Sequence, residues 1–279
     1  MKTVLSAFLL ILSQLVYGQY YFNDIRDTRN LGDRMKDYTN NKVSSVIAVG
    51  FDADGARSSD FNEWQEINAA ANVLKITTRN RQQITRQFYQ FDKQFNLVRI
   101  TDSSSDIKSV TVYNYDASNN IVSIKTTTTD SLSDFTETEE RQWKYGSSGK
   151  PEKMWRILNG KDSTEYRFTL DEKGNIADEQ LYRRGTGIDP VYYYYDESNK
   201  LTDIVRYNKL LKRLLPDVMF EYDENNKVTQ KMTILSTTKV EYLIWRYAYN
   251  DKGLKVKEVL FDKKKEMTGK IEYGYTYLP

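Results

Sequence analysis

The chain has 279 residues, with 41 Lys and Arg against 39 Asp and Glu, 22 Tyr, no Cys and no His. Without Cys there is no disulfide framework, zinc ribbon, thiol nucleophile or lipid-bearing lipobox, and without His there is no Ser-His-Asp relay, imidazole metal cage or imidazole pH switch. A well-mixed net charge of +2 leaves no electrostatic footprint for nucleic acid.

The first segment, MKTVLSAFLLILSQLVYG, begins with Lys2 and an apolar run from Val4 to Leu12. Ser13 and Gln14 follow, and Val16 and Gly18 then occupy small-residue positions before Gln19. That is the layout of a secretory signal peptide, and the run is short for a membrane span. Cleavage near Gly18 is expected, giving a secreted, periplasmic or cell-surface chain that begins at Gln19. Segment 19–45 is poorly defined. Its stretch DTRNLGDRMKDY has the composition of one short helix, interrupted at Gly32.

From 46 to 279 a phrase recurs: aromatic, any residue, aromatic, Asp, a short polar stretch with Gly or Asn, then an aliphatic. Its copies include FYQFDKQFNL (88–97), VYNYDASNNI (112–121), RFTLDEKGNI (167–176), YYYYDESNKL (192–201), MFEYDENNKV (219–228) and RYAYNDKGL (246–254). QWKYGSSGKP (142–151) and the weaker VGFDADGAR (49–57) vary it, and EYGYTYLP ends the chain as a half-copy. Residues i and i+2 of a strand share a face, so Tyr113 with Tyr115, or Tyr193 with Tyr195, form a stripe. The Asx residue after the anchor opens a turn, and the fourth residue after it is Gly or Asn in most copies, as a left-handed position requires. Phe95 breaks that rule in one turn, and Pro151 takes the aliphatic position in another. Each copy therefore predicts a hairpin with a three-to-five-residue loop. Residues 72–91 read as one more hairpin, and polar 126–140 as a long loop or an extended hairpin end. The expected fold class is all-β: an antiparallel β-meander of tandem hairpin repeats in a twisted or curled sheet.

The pairs Tyr115–Asp116, Tyr195–Asp196 and Tyr222–Asp223, with Asn119, Gly174, Asn199 and Asn226 in the turns, resemble the tyrosine–aspartate (YD) repeat of the Rhs family. The likeness is to the degenerate form in small secreted proteins of Bacteroidota-type bacteria, and covers roughly 85–279. It implies a β-meander scaffold and an extracellular binding role, sometimes for carbohydrate. The chain lacks the appended toxin domain and the Arg usual after the turn Gly.

Few residues suggest chemistry. Asp52, Asp54, Asp60 and Glu63 fall at calcium-loop positions 1, 3, 9 and 12, but Ala56 and Arg57 occupy positions that need an oxygen and a Gly. A plain repeat turn is the competing reading, and no metal site is assigned. Tyr192 and Tyr194 face away from the Tyr193–Tyr195 stripe and form the candidate binding surface, against the alternative of ordinary cross-strand packing. No phosphate loop, nucleophile elbow or metal signature is present, so no enzyme activity and no cofactor are expected. The expected function is a secreted, non-enzymatic binding or scaffold module with an unknown protein or glycan partner, no nucleic acid and no stable membrane insertion. The alternatives are a glycan-binding or glycan-active protein using the Tyr-rich face, and an outer-membrane β-barrel of about sixteen strands.

Overall fold

The structure is a computed structural model that describes residues 20–103, 107–236 and 241–279; the expected signal peptide at 1–18 lies outside them. One helix, α1 (Phe22–Asn40), precedes eighteen strands. The first six are β1 (Val43–Asp52), β2 (Arg57–Asn68), β3 (Val73–Asn80), β4 (Gln83–Phe91), β5 (Leu97–Ser103) and β6 (Ile107–Tyr115). Next come β7 (Ile121–Asp130), β8 (Phe135–Tyr145), β9 (Pro151–Leu158), β10 (Asp162–Leu170), β11 (Ile176–Arg183) and β12 (Thr186–Tyr195). The last six are β13 (Leu201–Asn208), β14 (Arg213–Tyr222), β15 (Val228–Ser236), β16 (Glu241–Tyr249), β17 (Lys255–Phe261) and β18 (Met267–Tyr277).

Every strand pairs antiparallel with the next, and β18 pairs with β1, Tyr275 opposite Val46 and Tyr273 opposite Ala48. The sheet is thus a closed 18-stranded barrel. This corrects the expected fold class: the hairpins do not lie in an open twisted or curled meander. The terminal half-copy supplies the closing strand, and closure gives the outer backbone groups of β1 and β18 partners that two free edges would leave exposed.

Consecutive turns fall at opposite ends of the barrel. The loops that open on Asp92, Asp116, Gly146, Asp171, Asp196, Asp223 and Asn250 cluster at one end, here called the mouth. The weak copy at Asp52 turns at the far end instead. There too lies a loop of the same geometry at 262–266, with Lys265 in the left-handed position (φ 63°). In most of these loops the Asx carboxyl or amide oxygen accepts two backbone N–H bonds; Asp116 Oδ1, for instance, accepts from Ser118 and Asn120, each at 2.8 Å. The fourth residue adopts positive φ whatever its type: Asn119 at 61°, Gly174 at 78°, and even Phe95 at 66°.

A bulge between the anchor and its neighbour keeps two rows on one face. Tyr115 pairs with Ile121 and Tyr113 with Ile124, all four turned inward. The anchor tyrosines then reach one hairpin back. The hydroxyl of Tyr115 donates to the Leu97 carbonyl, Tyr145 to Ile121, Tyr195 to Ile176, Tyr222 to Leu201, Tyr249 to Val228 and Tyr275 to Lys255, at 2.6–3.0 Å. Leu170 occupies the same place without a hydroxyl and is 40 % exposed. Burial holds the pKa of these phenols above its ordinary value, so they remain donors at any physiological pH.

The short helix expected in 19–45 is in fact the 19-residue α1, running through Gly32. A Cβ at Gly32 would lie 2.5 Å from the Phe95 carbonyl oxygen, so Gly is what lets the helix pass the β4–β5 turn. At 1.5 Å per residue α1 is about 28 Å long. Eighteen strands about 4.8 Å apart make a ring about 27 Å across before tilt widens it. The helix therefore spans the lumen, from β8–β14 at its start to β1, β2 and β18 at its end.

Candidate functional site: the plugged lumen and its mouth

Inside the barrel, α1 is packed by two apolar clusters. One joins Tyr21 to Ile124, Trp143, Met154, Phe168 and Ile204; the other joins Met35 and Tyr38 to Val46, Leu74, Phe91 and Leu97. Tyr21 rests on Tyr166, and Phe22 meets Tyr193 edge-on.

Polar clasps fix the helix ends. No side chain of α1 itself caps its N-terminus. Glu179 on β11 does so from the wall, accepting the Tyr21 and Phe22 N–H groups at 3.1 and 2.9 Å. Glu179 is 2 % exposed, and burial pushes its pKa up to about 7 despite those donors. The Tyr20 hydroxyl donates to Asp217 at 2.6 Å, and Arg206 pairs with the same carboxylate. Asp24 meets Arg141 at 2.5 Å, with both side chains largely buried. Burial pushes the Asp24 carboxyl up to about 6 and outweighs the attraction of Arg141. At the other end Lys227 reaches Asp37 at 2.9 Å, and Tyr38 donates to Gln65 at 2.9 Å.

On the side of α1 away from the mouth, Ala48, Phe61 and Ile271 form a small apolar cluster, and the inward-facing rows from β3 to β7, with Glu63, carry polar pairs. Thr78 donates to Glu63 at 3.1 Å, Gln87 to Asp102 at 2.7 Å, and Thr111 bonds Thr126 at 2.9 Å. Asp27 opens into this space although it lies deep within the ring, and burial raises its carboxyl pKa while Arg26 and Lys231 lower it. On the mouth side lies a cavity of about 500 Å³ between α1 and the loops. Arg26, Arg29, Asp33 and Lys36 of the helix, four ladder tyrosines and the turn asparagines line it.

The residues singled out in the sequence lie elsewhere. Tyr192 and Tyr194 are on the outer wall of β12, Tyr192 half-buried opposite Val205 and Tyr194 47 % exposed opposite Asp203. The calcium candidates are not brought together. Asp54 caps Ala56 N–H in the far-end loop, whereas Glu63 points into the lumen and accepts from Thr78 and Gln65. Among the described residues no group of three or more carboxylates is placed to hold a metal ion. Sequence reasoning missed Glu179, Asp24, Arg141 and Asp37. Their single signal was an acidic or basic residue at an inward strand position or on a helix, which means nothing until the partner is known.

The outer wall mixes charge with apolar rows. Glu66 with Lys75, Arg167 with Glu165, and Glu272 with Lys257 and Lys270 make ion pairs across or along strands. Met219, Met232, Ile244 and Phe261 form one apolar row across β14–β17.

No family model and no curated protein matches the chain. Among solved structures, a porin-like protein from Bacteroides uniformis aligns at 10 % identity and TM-score 0.40, covering 85 % of this chain and 97 % of that one. A porin-like protein from Bacteroides vulgatus aligns at 10 % identity and TM-score 0.33, covering 85 % and 99 %. The Photorhabdus luminescens Tc holotoxin pore aligns at 9 % identity and TM-score 0.30, over 77 % of this chain and 16 % of that one.

These findings correct several expectations. The chain is a closed 18-stranded barrel rather than the open β-meander scaffold expected from the YD-repeat resemblance. A soluble scaffold or glycan-binding module read on an open Tyr-rich sheet has no such sheet to stand on, and of the functions considered the β-barrel one fits. The expectation of a secreted, periplasmic or surface chain without stable membrane insertion falls as well. A closed barrel satisfies its strand backbones internally, which is the condition for spanning a bilayer with strands.

Proposed function

We propose that the chain is a non-enzymatic, plugged β-barrel whose lumen is the working compartment and whose N-terminal helix governs access to it. A single observation carries this: α1 crosses the lumen from wall to wall and is clasped at both ends by charged or polar partners on strands far apart in sequence. An 18-stranded ring encloses more space than its own side chains fill, and here the helix fills it. Clasps made of ion pairs and hydrogen bonds can exchange partners with water, so the plug is held without being sealed in a wholly apolar seam. The polar rows beyond the helix give water or a polar solute a surface to meet once it moves.

Native-state hydrogen exchange on the intact chain, compared with an Asp24→Asn/Asp37→Asn variant, tests the gate. The α1 amides should exchange by a local opening well below the global unfolding free energy, and faster in the variant. Exchange of α1 only through global unfolding in both chains would rule out access by helix movement. Flotation with phospholipid vesicles and leakage of a trapped dye, measured on the same two chains, show whether the lumen works across a bilayer.

A further inference from the structure

The mouth cavity has a chemistry of its own that the gate does not use. We infer that it binds an amphipathic organic anion: a flat apolar ring body carrying a phosphate or carboxylate head.

The positive side comes from α1. Arg29 and Lys36 share a helix face at i and i+7, both are exposed into the cavity, and neither has an ion-pair partner among the described residues. Arg26, which also donates to Asn23, and Lys150 from the β8–β9 loop bring the lining to four cations, and Asp33 is the one acid on it. The turn asparagines strengthen the same bias. Asn119 and Asn199 accept with their side-chain oxygens from Asn96 and Asn175, at 3.2 and 3.0 Å. What each has left to offer a ligand is its NH2 group, a donor. Cations and amide donors together select an acceptor-rich, negatively charged head.

The apolar side comes from the ladder. Tyr115, Tyr145, Tyr195 and Tyr222 line the cavity with their hydroxyls already spent on backbone carbonyls. Their rings therefore present carbon, which suits stacking or edge contact with a flat body. About 500 Å³ is within the range of small-molecule sites, and larger than a bare inorganic anion needs. The cavity exists only while α1 is docked, so the inference concerns the closed state and does not depend on whether the helix leaves.

Isothermal titration of the intact chain with 1-naphthyl phosphate tests it, alongside 1-naphthol and inorganic phosphate. Saturable binding tighter than about 1 mM is expected, with naphthol and phosphate each at least about tenfold weaker. Arg29→Gln/Lys36→Gln should weaken naphthyl phosphate at least about tenfold, while Lys173→Gln, on a mouth loop but outside the lining, should leave it unchanged. These helix positions are exposed, so the variants should fold; an unchanged circular dichroism melt checks that. Absence of saturable binding, indifference to the double substitution, or equal affinity for inorganic phosphate would each overturn the assignment. Hydrogen exchange of α1 reads the gate separately, so either proposal can fail alone.

Discussion

Glu179 offers the sharpest test of how the plug is held. Its carboxylate is buried against the start of α1, and its pKa rises from the ordinary 4.5 to about 7. For an acid with a raised folded pKa, the folded state binds the proton more tightly than the unfolded chain. Stability is then highest below the unfolded value and is lost as pH climbs toward the folded one. A rise from 4.5 to about 7 corresponds to about 3 kcal/mol, at about 1.4 kcal/mol per tenfold change in proton affinity. The group is almost fully buried, so solvent screening removes little of this. Most of the loss falls between pH 5 and pH 7. The perturbation is Glu179→Gln, which keeps an acceptor for one helix N–H and removes the titration. Urea unfolding of both chains at pH 5, 6, 7 and 8 measures it. The wild-type chain should lose stability across that window, and the variant should lose about 2.5 kcal/mol less between its ends, since part of the loss already lies below pH 5. Asp24, raised to about 6, supplies a further decline in the same direction that persists in the variant. Parallel pH profiles for the two chains, or a wild-type chain that gains stability from pH 5 to pH 8 while Glu179→Gln does not, would show that Glu179 is not a buried carboxylate at the helix start.

Other substitutions separate the remaining contacts. Arg141→Ala strips the buried Asp24 of its cation and should cost about 3–5 kcal/mol in denaturant unfolding, whereas Asp24→Ala leaves Arg141 the Glu139 carboxylate at 3.4 Å and should cost less, as should Asp24→Leu with Arg141→Met. Gly32→Ala, which in an exposed helix would gain about 1 kcal/mol, should here destabilise by about 1–3 kcal/mol because the new methyl meets a backbone carbonyl; a raised melting temperature would show that the helix does not pass the Phe95 turn. Tyr222→Phe should cost about 1 kcal/mol through the lost bond to Leu201. Leu170→Tyr fills the gap in the ladder and should raise the melting temperature by about 2–4 °C, with no change or a fall counting against the ladder as a stabilising device.

Much of the local structure is written in the residues themselves. The Asx-to-Gly/Asn spacing marks the mouth loops because the turn needs an acceptor at its start and a left-handed position at its fourth residue. Phe95 takes that conformation without the preference, since its carbonyl is pressed against Gly32 and tertiary contact overrides the local cost. The alternation of Tyr113, Tyr115 and their counterparts marks one shared face, because side chains of a strand repeat every second residue. The loop at 262–266 does not show the usual phrase, because Lys265 takes the left-handed position where Gly or Asn stands in most copies.

Closure, the destination of α1 and the cavity could not be read this way. Whether eighteen strands end in two edges or one seam depends on β18 meeting β1, a pairing between residues more than two hundred positions apart that no local pattern encodes. The helix was discounted for a glycine that proved to be its point of passage. Its cap, Glu179, lies on β11, so neither end of the contact carries a signal without the other. The absence of Cys meant at the outset that the fold had no covalent staple. The sequence by itself determined the hairpins, their turns and the tyrosine stripe, because these follow from backbone preferences within a few residues. Only the tertiary structure decided that the stripe faces inward, that its hydroxyls tie each hairpin to the one before, and that the ring closes around its own N-terminal helix, because each of these depends on partners brought together by the ring and not by the chain.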